Sequence, residues 1–144
     1  MADDVVLNKA ATIERCVARA REEYAAAEAA GGSGFAGDYT RQDAAILNIQ
    51  RACEAALDLG HHLIRRDRLG VPQSARHVFD LLTAAGRIEQ TLAESLKKMV
   101  GFRNIAVHDY QTLLLPITVN VITQHLDEFL QYAAALLRQD GARP

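Results

Sequence analysis

Arg103, His108 and Tyr110 fall within the eight-residue string Arg-Asn-Ile-Ala-Val-His-Asp-Tyr at 103–110, written R-N-x-x-x-H-D-Y. An imidazole with an unperturbed pKa of about 6.5 can take or give a proton at neutral pH. A guanidinium stays charged and offers a planar fork that matches phosphate oxygens. These are the residue types needed to cut a phosphodiester that carries its own neighbouring hydroxyl, as RNA does. One group removes the 2′-hydroxyl proton, one protonates the leaving 5′-oxygen, and a cation neutralises the phosphorane between them, all without a metal. The bland reading of the same residues is a solvated Arg and His near a helix end, favoured there by the helix dipole.

The spacing poses a geometric problem. On a straight α-helix five residues advance about 500°, so Arg103 and His108 leave the axis about 140° apart. They do not meet on one phosphate unless the helix ends near His108, Arg103 reaches round, or a second subunit completes the site. Asn104 and His108 are i,i+4 neighbours, so the amide can orient the imidazole. Arg103 and Tyr110 fall within about 20° of each other if the helix persists that far.

Five helices are expected to position these residues. The first runs from about Val5 to Ala30, with Ile13, Cys16, Val17, Ala20 and Tyr24 in an apolar stripe at helical spacing. The glycine-rich run Gly31–Asp38 is expected to be a flexible loop. The second helix opens at Thr40, with Asp43 three residues on in a capping-box-like arrangement, and runs to about Arg68 before Gly70 and Pro72. Its stripe of Ile46, Ile49, Cys53, Leu57, Gly60 and Ile64 alternates steps of three and four. A short third helix spans about Gln73 to Ala85, and a fourth runs from about Ile88 through the Arg103 motif. The fifth follows Pro116, a favourable first-turn residue, and continues to about Gly141. Gly101 interrupts the fourth helix at a cost of about 1 kcal/mol relative to alanine. It fits either close approach by another backbone or a tolerated glycine at a bend. The expected fold is all-α, an antiparallel four- or five-helix bundle with one short extra helix, as a single domain over 1–144.

Composition agrees. Of the 144 residues 49% are hydrophobic, 6% aromatic and none tryptophan, so alanine and leucine must carry the packing. The formal net charge is −2, so any contact with a polyanion must come from a local patch. The acidic start is unlike a signal peptide, and no apolar run approaches the roughly 18 residues of a membrane helix. Cys16 and Cys53 show no metal spacing and read as buried thiols in a reducing compartment, which points to the cytoplasm.

The string at 103–110 resembles the signature of the HEPN-domain ribonuclease toxins, and specifically the HepT family. The approach Lys97-Lys98-Met99-Val100-Gly101-Phe102 and the upstream Leu69-Gly70-Val71-Pro72-Gln73-Ser74 look like the same family, over roughly residues 40 to 138. The resemblance implies a homodimer in which two such motifs face each other across a cleft. It also implies the toxin of a type VII toxin–antitoxin pair, a metal-independent endoribonuclease without a cofactor. Arg103 would clamp phosphate, His108 would act as general base or acid, Asn104 would orient it, and the ends would be 2′,3′-cyclic phosphate and 5′-hydroxyl. It further implies a separate partner, a minimal nucleotidyltransferase of the MntA type, which silences the toxin by placing AMP on Tyr110. An anionic adenylate there would block the phosphate site and offset its positive field.

Other polar features are weaker. His61, His62, Arg65, Arg66 and Arg68 crowd the end of the second helix, where cations suit the C-terminus. Arg65 and Arg66, with Lys97 and Lys98, are alternatively candidates for RNA contact. Asp58-x-x-His61 lacks the second such pair that a di-metal cage requires, and no metal ligands are assigned. His77 and His125 read as ordinary histidines on amphipathic helices. Neither a glycine-rich phosphate loop nor a G-x-S-x-G string is present. A second class of function stays open, a catalytically silent bundle that serves as the assembly partner of a nucleotidyltransferase.

Overall fold

Two long amphipathic stripes dictate the centre of the molecule. A computed structural model describes residues 3–142, and in it α1 (Asp4–Ala29) lies along α2 (Tyr39–Asp67) for most of their length. Ile13, Cys16, Val17 and Ala20 of α1 and Ile46, Ile49, Cys53, Leu57, Gly60 and Ile64 of α2 are all buried. Alanine at positions 10, 20, 52 and 56 lets the two helices approach closely and leaves the larger side chains to fill the flanks. Against this pair pack α3 (Ala75–Ala84), α4 (Gln90–His108) and α6 (Leu126–Gly141), with α5 (Leu115–Asn120) leading into α6. Among the described residues there is no strand, and the architecture is the expected all-α bundle.

Three local expectations are corrected. The cap of α2 is Asp38 rather than Thr40: its carboxylate accepts a hydrogen bond from the Arg41 amide at 3.0 Å, which leaves Asp43 free for other work. The glycine-rich run is no loose loop. It forms a 3-10 turn at Gly34–Gly37 that buries Phe35 edge-on against Tyr24, with ring centroids 5.1 Å apart. The Gln42 side chain ties this turn down by donating to the carbonyls of Phe35 and Ala36 at 2.7 and 3.0 Å. The expected fifth helix is broken by a π-helical turn at Val121–His125, which re-registers α6 against α1 and α4.

The end of α2 is part of an ion network rather than a free cationic tip. Arg66 bonds Asp3 at 2.7 Å, Asp140 at 2.8 Å and Asp67 at 2.9 Å, and Arg87 bonds Asp67 at 2.9 Å. His62 lies 2.8 Å from Asp3, whose backbone N–H donates to Asp140. One guanidinium thus fastens the first described residue, the end of α2 and the end of α6.

Gly60 sits where α2 crosses α3 and α6. A Cβ there would stand 2.4 Å from Val78 Cγ1 and 2.9 Å from the Tyr132 hydroxyl, which donates to the Ala56 carbonyl at 2.7 Å. Gly60→Ala is therefore expected to destabilise the fold by about 1–3 kcal/mol, because overpacking outweighs the helix-propensity gain. A lowered midpoint in urea denaturation checks it.

Candidate active site

The fourth helix carries Arg103, Asn104 and His108 unbroken to its last residue. It ends there because Asp109 leaves helical geometry at φ −152°, ψ 52°, while its N–H still closes on the Ile105 carbonyl at 2.8 Å. A 3-10 turn at Tyr110–Thr112 follows. Of the three resolutions of the spacing problem, a helix ending at His108 is thus realised. It does not bring Arg103 and His108 together, since both still belong to one continuous helix and diverge by about 140°.

Arg103 is half-buried and faces α2, where Glu54, Leu57, Asp58 and His61, with Gln73 and Ser74 before α3, complete a groove of about 470 Å³. Burial pushes the thiol of Cys53 up to about 11, and the charge of Arg103 partly offsets that effect. The Arg103 Nε is itself buried and donates to no described protein group. A buried guanidinium nitrogen without a partner is uncommon, because desolvation without a hydrogen bond costs about 1–3 kcal/mol. His108 is exposed and makes no hydrogen bond among the described residues. Asn104 is half-buried, and the expected Asn104–His108 hydrogen bond is not formed. Tyr110 leaves the helix track altogether, so its expected alignment with Arg103 does not arise. Its hydroxyl instead donates to Oδ1 of Asp43 on α2.

The four candidate RNA contacts divide into two pairs. Arg66 is held in the ion network, and Lys97 bonds Asp80 at 2.9 Å and Glu94 at 3.2 Å. Arg65 and Lys98 are exposed with no ion pair among the described residues. Sequence reasoning missed a second cationic group, Arg15 and Arg19 of α1 with Arg51 of α2, in a groove of about 360 Å³ that shares Glu54 and Asp58 with the Arg103 groove. Their i,i+4 spacing on α1 was the available signal. Lys9 in this groove is already paired with Asp58 at 3.2 Å, which also engages the carboxylate of the Asp58-x-x-His61 string. No three His, Cys, Asp or Glu side chains are grouped as metal ligands among the described residues.

On the other side of α4 lies an apolar groove of about 540 Å³, lined by Met99, Phe102, Ile105, Leu113, Leu114 and Ile117. Leu114 is 61% and Ile117 49% exposed, so this groove turns apolar surface to solvent. Gly101 borders this groove. A Cβ there would meet the end of the Arg76 side chain at 3.1 Å rather than any backbone, so within the chain the glycine is not explained by close helix packing. A further depression of about 710 Å³, between the start of α4 and α6, contains no residue of the 103–110 string.

The model of a family described as ribonuclease HepT-like matches residues 13–136, which takes in every element that surrounds this site. The chain belongs to that family. Within the HepT-like group it is 49% identical over 130 residues to the mRNA nuclease HepT of Shewanella oneidensis, covering 90% of this chain and 94% of the relative. Solved structures agree. A crystal structure of a toxin–antitoxin with AMP-PNP superposes with a TM-score of 0.85 at 47% identity, covering 93% of this chain and 98% of that one. The tri-AMPylated Shewanella oneidensis HEPN toxin in complex with MNT antitoxin superposes at 0.84 and 48% identity, covering 93% and 97%. The HepT-like frame is therefore shared along almost the whole chain.

Proposed function

We propose that this protein is the toxin of a type VII toxin–antitoxin pair, a single HepT-like domain acting in the cytoplasm as a metal-independent endoribonuclease. The observation that carries the reading is the pairing of an exposed, unengaged His108 with an Arg103 whose buried Nε lacks a protein partner, in a chain of the ribonuclease HepT-like family. A scaffold has no chemical need to hold a guanidinium half-desolvated beside a groove; a phosphate-binding site does.

In the reaction, a histidine takes the 2′-hydroxyl proton while that oxygen attacks the adjacent phosphorus. The bond to the 5′-oxygen breaks, that oxygen leaves with the electron pair and is protonated, and a 2′,3′-cyclic phosphate remains. Arg103 stabilises the charge on the phosphorane's equatorial oxygens. Because Arg103 and His108 diverge on one helix, the site is completed across a homodimer, with the apolar groove of Ile105, Leu114 and Ile117 covered by the second copy. Arg15, Arg19, Arg51 and Arg65 extend the cationic surface along which the RNA backbone runs, which a net charge of −2 requires to be local.

The control is a separate minimal nucleotidyltransferase of the MntA type that transfers AMP to Tyr110. Support comes from the exposed position of Tyr110 two residues after His108 and from the AMPylated state of the related Shewanella toxin in complex with its antitoxin. Purified, unmodified protein is expected to cut labelled RNA in excess EDTA and to leave cyclic-phosphate ends. Cleavage that disappears with EDTA and returns with a divalent cation overturns metal independence. No cleavage under either condition favours the silent assembly partner.

A further inference from the structure

The hydrogen bond between Tyr110 and Asp43 joins residues 67 apart in sequence and is the one hydrogen bond that fastens the motif's tyrosine to α2. Asp43 is exposed near the start of α2, pairs with no cation among the described residues, and is not needed for the helix cap, which Asp38 supplies. Tyr110 is 41% exposed, so its hydroxyl is reachable by another protein's active site. Partial burial first, and then the bond to and negative charge of Asp43, push that hydroxyl up to about 12. At pH 7 such a phenol is ionised only about one part in 10⁵, which makes it a poor nucleophile unless a base removes its proton as it attacks.

We propose that Asp43 is the general base for adenylate transfer to Tyr110, so that the toxin supplies part of the catalytic machinery of its own silencing. The inference rests on the reading of Tyr110 as the AMP acceptor. In the step, Asp43 takes the hydroxyl proton while the Tyr110 oxygen attacks the α-phosphorus of a nucleoside triphosphate held by the partner enzyme. The Tyr110 oxygen–phosphorus bond forms, the bond from the α-phosphorus to the bridging oxygen breaks, and pyrophosphate leaves with the electron pair. The proton on Asp43 then passes to water. Asp43 already touches the reacting oxygen before the donor arrives, which is the geometric requirement for a general base.

The test is single-turnover transfer from ATP by the cognate nucleotidyltransferase to the full-length protein, followed by intact-mass spectrometry from pH 6.5 to 8.5. Asp43→Asn keeps an oxygen that accepts the same hydrogen bond but cannot take the proton, and its exposed position makes the change compatible with folding. The first transfer to D43N is expected to be about 10²-fold slower or worse, while Asp43→Glu stays within about tenfold of the parent. The ratio of parent to D43N rates is expected to shrink about tenfold per pH unit, because the variant must wait for phenolate, whose population rises tenfold per unit below its pKa. A D43N rate within about threefold of the parent at pH 6.5, where the expected ratio is largest, or a slow rate with a ratio constant in pH, overturns the base and leaves Asp43 a structural partner. Tyr110→Phe separates the underlying reading: if that variant accepts adenylate at the parental rate, Tyr110 is not the acceptor whatever D43N does.

Discussion

His108→Ala is expected to lower RNA cleavage by about 10²–10⁴-fold, the range for removing a general acid or base, equivalent to about 2.7–5.5 kcal/mol of transition-state stabilisation. The effect should be purely catalytic. His108 is exposed, ends α4 and has no hydrogen-bond partner among the described residues, so its removal costs the fold nothing visible in urea denaturation. Arg103 makes a companion with a different signature. Lysine there keeps the charge but loses the planar fork, so Arg103→Lys should recover only a fraction of what Arg103→Ala removes. The two variants together examine the composite site. When His108→Ala and Arg103→Ala proteins are unfolded, mixed and refolded, a site built across two protomers regains one intact Arg–His pair per mixed dimer. Cleavage should then rise to a substantial fraction of the parent. Activity that stays at the level of the separate variants would mean that Arg103 and His108 act from the same chain, and the 140° divergence would need another explanation. Parental cleavage by His108→Ala would remove the proposed mechanism itself.

Much of the bundle was readable in the sequence because it rests on local periodicity. The stripes of α1 and α2 repeat every three or four residues, and each stripe residue on α2 proved to be buried. Errors arose where local signals competed. Glycines at 31, 32 and 34 do adopt positive φ, as a loop would, yet Phe35 beside them has a pocket against Tyr24 that no period announces. Thr40 and Asp38 are both acceptable caps; two residues' difference decides whether Asp43 helps cap a helix or holds a tyrosine. The π-helical turn after α5 accommodates tertiary packing of α6 and has no sequence mark beyond Pro116. At the site the residue types of 103–110 were legible, as was the helix that carries Arg103, Asn104 and His108. Their surroundings were not. Cys53, Glu54 and Asp43 reach them from about fifty to seventy positions earlier, and only the antiparallel pairing of α2 with α4 brings them there.

That dependence on distant pairing is greatest at Arg66, where the largest stability effect is expected. Arg66→Met should cost about 3 kcal/mol at pH 7, the low end for breaking a buried ion pair. The low end applies because Asp3 is about a third exposed and partly screened, whereas Asp140 is only 2% exposed and loses its guanidinium without recourse to water. The sign of the pH dependence follows from the carboxylates. The Arg66 hydrogen bonds, helped by Arg87 and opposed by burial, hold Asp67 down at about 2 against an ordinary 3.8. Burial raises the Asp3 carboxyl, but His62, the Val6 amide and Arg66 outweigh it and hold that group well below the carboxylate range. Groups with depressed folded-state values stabilise the protein above their unfolded pKa of about 3.8 and lose that contribution as pH falls through the folded value. The parent and Arg66→Met should therefore differ most at pH 5–7, and the difference should shrink steadily as pH falls from about 4 towards 2, as read from urea midpoints at each pH. Were the difference to stay constant down to pH 2, the guanidinium would be contributing packing of its aliphatic stem rather than charge. The same network should leave RNA cleavage per folded molecule untouched, because it ties the two ends of the chain together away from the 103–110 string. The motif and its scaffold would then be separable by mutation: one governs turnover, the other the fraction of molecules able to turn over.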